Sequence, residues 1–264
     1  METDSILIPL VPWAYDNNIT PYENTCFDGE VEQYIENEIL SPDRKIPLRV
    51  AKCIIIGPVS VGKTSLIRRL GANGYGLKQR PTIGIDYWVQ KFEVLGTPFR
   101  LQIWDTAGLE RYNSVTKSFY RDAQIVIMQF DLSRPHTLNE LKEFVRDVLT
   151  VNQEERLLIF LVGSKKDLIS EAQCRVLEKE AAQVAKQFEA EYWSVSSLTG
   201  KNVQNLFSRI AALAFLKMIK TEIEIKESFR NEDSRLAIMC PEQMTPEPPL
   251  KSKKKFNCCH CNIT

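Results

Sequence analysis

Gly57-Pro58-Val59-Ser60-Val61-Gly62-Lys63-Thr64 fits the pattern G-x-x-x-x-G-K-[ST] at every constrained position. Ahead of it, Val50-Ala51-Lys52-Cys53-Ile54-Ile55-Ile56 is a short apolar run that predicts a buried strand, and Thr64 to Leu70 behind it has helical spacing. Strand, loop and helix are the context in which such a loop cradles phosphate. The glycines at 57 and 62 let the backbone curl, so that successive N–H groups converge at the positive end of the helix. The binding set expected from this loop is Val59, Ser60, Val61, Gly62, Lys63, Thr64 and Ser65. Lys63 supplies a point charge for the outer phosphates, and the Thr64 hydroxyl suits a magnesium ion that bridges them. The loop alone does not choose the nucleotide.

The chain has 264 residues, enough for one large domain or two small ones. Its 34 basic and 34 acidic side chains cancel, so no global field points to nucleic acid. The distribution is uneven, however: residues 1 to 43 hold ten acidic side chains and no Lys or Arg. An acidic segment of this kind either lies against the basic remainder or forms a solvated arm. No apolar run reaches the roughly 18 residues of a membrane span. Glu2 and Asp4 stand where a secretory signal needs positive charge, so we expect no signal peptide and a cytosolic chain. Cys26, Cys53, Cys174 and Cys240 are scattered as reduced thiols usually are, whereas Cys258, Cys259 and Cys261 crowd the end.

Three zones follow from the pattern. Residues 1–48 form an extension with several prolines around one amphipathic stretch, in which Val31, Tyr34, Ile35 and Ile39 share a helical face. Residues 49–229 alternate strand-like and helix-like segments, which predicts an α/β fold: a mostly parallel six-stranded sheet with helices on both faces. Strands are expected at 50–56, 125–131, 157–163 and 192–196, and helices at 64–70, 137–150, 172–189 and 202–227. Tyr87 to Val94 and Phe99 to Trp104 flank Leu95-Gly96-Thr97-Pro98, a hairpin signal that adds one antiparallel edge strand. Residues 230–264 are rich in Pro and Lys and predict a disordered tail.

A magnesium nucleotide needs a sensor of its terminal phosphate. Asp105-Thr106-Ala107-Gly108 follows a strand ending in Trp104, so Asp105 can hold the metal through a water and the Gly108 N–H can meet the γ-phosphate. Thr82, in Pro81-Thr82-Ile83-Gly84, can complete the magnesium shell. Base identity is expected in Gly163-Ser164-Lys165-Lys166-Asp167, where the Asp167 carboxylate can accept two hydrogen bonds from the N1 and N2 edge of guanine. Adenine offers no such pair of donors. The Lys165 stem can lie along the purine face.

These blocks resemble the Ras superfamily of small GTPases over residues 49–215. Within it, Ile83-Gly84-Ile85-Asp86-Tyr87, Arg100 to Gly108 and Phe119-Tyr120-Arg121-Asp122-Ala123 are similar to the Rab branch, in particular its divergent members with long N-terminal extensions, linked to the Golgi, lysosome positioning and cilium formation. The resemblance implies a monomeric switch of vesicle traffic that binds GTP/GDP with Mg²⁺ and hydrolyses GTP. It implies work on the cytoplasmic face of Golgi, endosomal or ciliary-vesicle membranes, and a cytosolic form held by escort proteins. It also implies partners: an exchange factor, effectors, a GAP and the prenylation escort machinery. Tyr87, Trp104 and Phe119 match the aromatic triad that faces effectors, Tyr75 falls against the guanine face, and Ser196-Ser197-Leu198 fall in the loop that reads the guanine oxygen.

The chain departs from the family at several of these positions. Ser164 stands for the usual Asn and Leu198 for the usual Lys. Losing the Asn amide removes a tie of about 1 kcal/mol between base and loops. Leu109 stands for the Gln that orients the attacking water, and leucine neither donates nor accepts a hydrogen bond. Val59 occupies a position where the family has Gly or a small polar residue, and its branched side chain crowds the space of a water or an arginine finger. We therefore expect the catalytic set (Lys63, Thr82, Gly108 and the Leu109 position) to hydrolyse GTP slowly. A non-cycling GTP-bound scaffold is the alternative. A nucleotide kinase is disfavoured, since no Arg-rich lid segment follows.

Cys258-Cys259-His260-Cys261-Asn262-Ile263-Thr264 resembles a prenylated tail, either as a paired-cysteine Rab terminus or at Cys261 as an atypical C-a-a-X box. One lipid anchors weakly, so a second chain or the basic run Lys251 to Lys255 against anionic lipid would complete the attachment. A zinc site from these cysteines and His260 is disfavoured, because adjacent cysteines do not easily share a tetrahedral ion.

Overall fold

The computed structural model describes residues 5–16, 20–22, 27–41, 46–71, 86–106, 118–152 and 157–238, with side chains to residue 230. Two compact units divide the chain, residues 1–223 and 224–264. The first holds a seven-stranded sheet. Its strands are β1 (Ile6–Ile8), β2 (Arg49–Ile56), β3 (Asp86–Val94), β4 (Thr97–Asp105), β5 (Ile125–Asp131), β6 (Leu158–Ser164) and β7 (Glu191–Ser194). The helices are α1 (Gly29–Tyr34, continued by a π turn over Ile35–Ile39), α2 (Lys63–Gly71), α3 (His136–Val151), α4 (Glu171–Gln187) and α5 (Val203–Ile238). The part of α5 from residue 224 belongs to the second unit, where Ile225 and Phe229 are exposed.

The sheet order is β1-β3-β4-β2-β5-β6-β7, and every pairing is parallel except β3 with β4. The seventh strand is the difference from the expected six. Ile6–Ile8 is too short to show a period, yet it pairs with Phe92–Val94, buries Ile8 and leaves Leu7 exposed. The antiparallel strand β3 is therefore flanked on both sides and is not the edge. The β3–β4 turn is also tighter than the tetrapeptide reading, because Val94 pairs with Thr97 across Leu95-Gly96 alone. Both turn residues have positive φ, 47° and 73°, the geometry whose twist matches paired strands.

Alternation along the strands splits the core into two layers. Cys53, Ile55, Ile125, Ile127, Phe160 and Val162 face α2 and α5, whereas Ile54, Ile56, Val126, Met128, Ile159 and Leu161 face α3 and α4. The apolar stripe of α5, from Val203 and Leu206 to Leu213 and Ala214, is buried in the first layer. Among the described residues no helix is long and apolar enough to cross a membrane.

The N-terminal segment belongs to this first layer and is no solvated arm. Asp28 caps α1 by accepting from the Val31 N–H at 2.9 Å, and Val31, Ile35 and Ile39 are buried in the core. Phe27 meets Phe215 edge-on at 6.4 Å, and Arg49 forks onto Glu222 of α5 at 3.2 and 2.8 Å. Further back, the Pro12 carbonyl accepts from Arg209 at 3.0 Å, and the Thr20 hydroxyl donates to Glu191. Arg209 and Glu191 form a fully buried pair at 3.0 Å, so the segment completes the hydrogen bonding of two charges inside the protein.

Candidate nucleotide site

Parallel strands end together at the carboxyl edge of the sheet, where open α/β sheets bind ligands. Here that edge carries Asp105 (β4), Asp131 (β5), Ser164 (β6) and Ser194 (β7), beside the loop that leaves β2. Register places Ile55 opposite Asp105, so the start of the loop and the end of β4 are neighbours.

The loop is tightly turned: Gly57, Ser60 and Gly62 have φ of 149°, 64° and 102°. A Cβ on Gly57 would lie 2.1 Å from the Gln129 carbonyl oxygen, an impossible contact with backbone. Gly57→Ala is expected to cost about 1–3 kcal/mol or more in urea unfolding, since neither the dihedral nor the neighbouring strand can yield without strain. Lys63, 4 % exposed, donates from Nζ to the Gly57 and Pro58 carbonyls at 2.5 and 3.0 Å, which draws its ammonium into the curve of the loop. The Thr64 hydroxyl donates to the buried Asp105 carboxylate. Hydroxyl and carboxylate oxygens are the hard donors that magnesium takes, so the residues present fit that ion. Val59 is 47 % exposed on the loop.

A second cluster, absent from the sequence reading, holds the loop from below. Asp131 is fully buried and accepts from Lys165 Nζ at 2.6 Å and Arg134 Nε at 2.9 Å. Both cations also reach the Ser60 carbonyl, Lys165 at 2.9 Å and Arg134 at 3.1 Å. Burial would raise the Asp131 carboxyl, but the hydrogen bonds from Lys165, Ser133 and Arg134 outweigh it and hold the group below the usual carboxylate range. The one local signal was an acidic residue closing the apolar run Ile125 to Phe130.

Ser164, at the position of the family's Asn, is buried at the end of β6. Its hydroxyl lies 2.6 Å from both the Val61 and Phe130 carbonyls and links β6 to the phosphate loop. Beyond it the two segments expected to read the base meet. The Lys166 N–H donates to the Val195 carbonyl at 3.1 Å, and the Ser196 hydroxyl donates to Asp167 Oδ1 at 2.5 Å. Ser197 is at the edge of burial and Leu198 is exposed.

The aromatic triad is contiguous. Tyr87 and Trp104 ring centroids are 5.2 Å apart, edge-on, and Trp104 and Phe119 are 6.2 Å apart. Lys52 Nζ sits 5.0 Å from the Trp104 ring, and burial lowers its pKa. Tyr75, Thr82, Gly108, Leu109 and the cysteines 258, 259 and 261 lie outside the described residues.

Comparison with known proteins agrees with this layout. A family model described as the Ras family matches residues 52–215. The chain is similar to mouse Ras-related protein Rab-36, 44 % identical over 70 % of this chain and 69 % of the relative. It is 41 % identical to human Ras-related protein Rab-34, over 81 % of this chain and 82 % of the relative. Human Ras-related protein Rab-15 is more distant, 32 % identical over 78 % of this chain and 96 % of the relative.

Proposed function

We propose that this chain, which belongs to the Ras family of small GTPases and within it to the Rab proteins, is a GTP switch of membrane traffic whose bound state is long-lived. The family's activity is hydrolysis of GTP to GDP, and its cellular work is the regulation of membrane traffic. The finer reading is slow turnover. The observation that carries it is Val59, 47 % exposed on the phosphate loop, together with Leu109 where the family has its water-orienting Gln.

In this reading Lys63 and the loop backbone hold the phosphates, and Thr64 with Asp105, joined by Thr82, holds magnesium. When bound, that ion offsets charge on the terminal phosphates. Asp167 accepts from the guanine edge, and Ser164, Lys165, Ser196, Ser197, Leu198 and Tyr75 complete the base site. The Thr106 hydroxyl donates to the Ile55 carbonyl at 2.7 Å and fixes the end of β4 at the point where the attacking water would be sensed. From there chemistry falters: Leu109 offers no hydrogen bond to a water, and exposed Val59 fills space that an incoming arginine needs. In switches of this kind such assistance is worth about 10³ to 10⁵ in rate.

Single-turnover hydrolysis of GTP tests this directly. Leu109→Gln should react at least ~10-fold faster than the parent, within the range general positioning of a nucleophile provides, and Val59→Gly should gain further only when a GAP is added. Equal rates for parent and Leu109→Gln would sink the idea that Leu109 is the block. Nucleotide content on purification separates a slow switch from a non-cycling scaffold, which would retain GTP and exchange little even in EDTA. Lipids on Cys258, Cys259 or Cys261, with Lys251 to Lys255 against anionic headgroups, would hold the switch on the cytoplasmic face of Golgi, endosomal or ciliary-vesicle membranes. Mass spectrometry of the C-terminal peptide from a eukaryotic host reads which cysteines carry them.

A further inference from the structure

Lys166 sits between the two residues assigned to the purine, yet its side chain goes elsewhere. Its Nζ donates to Tyr15 Oη at 2.8 Å, to Ser194 Oγ at 2.7 Å and to Glu178 Oε1 at 3.3 Å. The Tyr15 hydroxyl donates in turn to Glu178 Oε1 at 2.7 Å, and the Ser194 hydroxyl lies 2.7 Å from Tyr15 Oη and 3.0 Å from Glu178. Tyr15 comes from the N-terminal segment, Lys166 from the turn after β6, Glu178 from α4 and Ser194 from β7. Four remote pieces of chain thus meet on one phenol.

The ring is fixed as firmly as the hydroxyl. Tyr15 stands edge-on to Tyr192 at 5.8 Å and tilted against Trp193 at 5.7 Å, with Lys166 Nζ 5.3 Å from its centroid. Burial would raise the Glu178 carboxyl, but hydrogen bonds from Tyr15, Cys174 and Ser194 and the Lys166 charge keep it below the usual range. The cluster is therefore a charged, satisfied hub, and the phenol closes it.

What the hub holds is a strained turn. Lys165 is left-handed, with φ 59° and ψ 38°, and it opens the short 3₁₀ turn Lys166–Leu168. A non-glycine residue in that region costs on the order of 1–2 kcal/mol and persists only where its surroundings over-determine it. Two anchors do so: Lys165 to Asp131 and Ser60 on one side, Lys166 to Tyr15 and its partners on the other. Asp167 follows directly, its carboxylate accepting from Ser196 at 2.5 Å in the loop that β7 delivers.

We propose that Tyr15 is a positioning residue for guanine recognition: by holding Lys166 it fixes the turn that presents Asp167 to the base, so the N-terminal segment sets how long the nucleotide stays. The inference rests on the assignment of Asp167 to the guanine edge made above. It gives residues 1–48 a role in ligand dwell time as well as in folding.

The test compares release of GDP and inosine diphosphate, which lacks the 2-amino group, from the full-length chain with and without excess EDTA. Tyr15→Phe keeps the ring contacts and removes only the hydroxyl. It is expected to speed GDP release about 3- to 10-fold, the scale of one hydrogen bond, and inosine diphosphate release by less, so that the ratio of the two narrows. The factor should be the same in EDTA, because the change lies at the base end. Lys166→Met, which breaks the link from the other side, should narrow the ratio similarly and add nothing to Tyr15→Phe. Tyr22→Phe is the control in the same segment: its hydroxyl bonds the Ile159 backbone N–H at 2.5 Å and carbonyl at 3.1 Å, far along the chain from the turn. It should leave the ratio unchanged whatever it does to stability. A Tyr15→Phe ratio equal to the parent's overturns the proposal and leaves Tyr15 a packing residue. A parent chain that does not distinguish the two diphosphates overturns the assignment of Asp167 instead.

Discussion

Asp167→Ala is expected to weaken GDP binding by about 10² to 10⁴, the largest single effect at the base end of the site. The magnitude follows from the proposed guanine contact, which would give a charged acceptor two hydrogen bonds at roughly 1.5–3 kcal/mol each, with about 1.4 kcal/mol per factor of ten. Titration calorimetry with GDP and ADP reads it, and the preference for guanine over adenine should collapse along with affinity. Ser196→Ala should have a smaller effect in the same direction, because the Ser196 hydroxyl steers the carboxylate by donating to Oδ1. A loss below tenfold for Asp167→Ala would place guanine recognition elsewhere in the fold.

Glu191→Ala is expected to be the most damaging substitution away from the ligand, at about 3–5 kcal/mol in urea unfolding. Glu191 and Arg209 are both fully buried, and removing the carboxylate takes away the negative charge paired with the guanidinium. The loss spreads, because Trp193 Nε1 donates to Glu191 at 2.8 Å and Thr20 from the N-terminal segment donates to it as well. Replacing both members by apolar residues, Glu191→Met with Arg209→Met, should cost much less than Glu191→Ala, since no uncompensated charge remains. A double variant as unstable as the single one would mean that packing around the pair matters more than its charge.

Both expectations mark how far residue order alone reaches. Gly57 to Thr64, the strand before it, the helix behind it and Asp105 at the end of β4 were legible because each rests on local chemistry: a turn that needs glycine, a hydroxyl beside a lysine, a carboxylate ending an apolar run. The alternation of strand-like and helix-like segments likewise predicted a sheet with helices on both faces. The tie made by Ser164 was not legible, since serine in place of asparagine reads as a loss until its hydroxyl is seen between the Val61 and Phe130 carbonyls. Asp131 with Lys165 was missed because the two lie 34 residues apart and a charge pair across two strand ends has no period.

The N-terminal segment shows the division most plainly. Its helix near Val31 to Ile39 was written in the spacing of its apolar residues, and its acidity in its composition. Its β1 strand, its hold on Glu191 and Arg209, and Tyr15 on Lys166 were not, because the partners lie 163 residues away for Tyr15 and Glu178 and 197 for Pro12 and Arg209. The sequence by itself determined the ligand class, the sheet-and-helix alternation and the residues of the phosphate loop, all of which follow from interactions within a few residues. Only the tertiary structure decided that the acidic segment is part of the domain and reaches the turn before Asp167, because a three-residue strand and a single tyrosine gain their stability from surfaces that the rest of the chain must fold to provide.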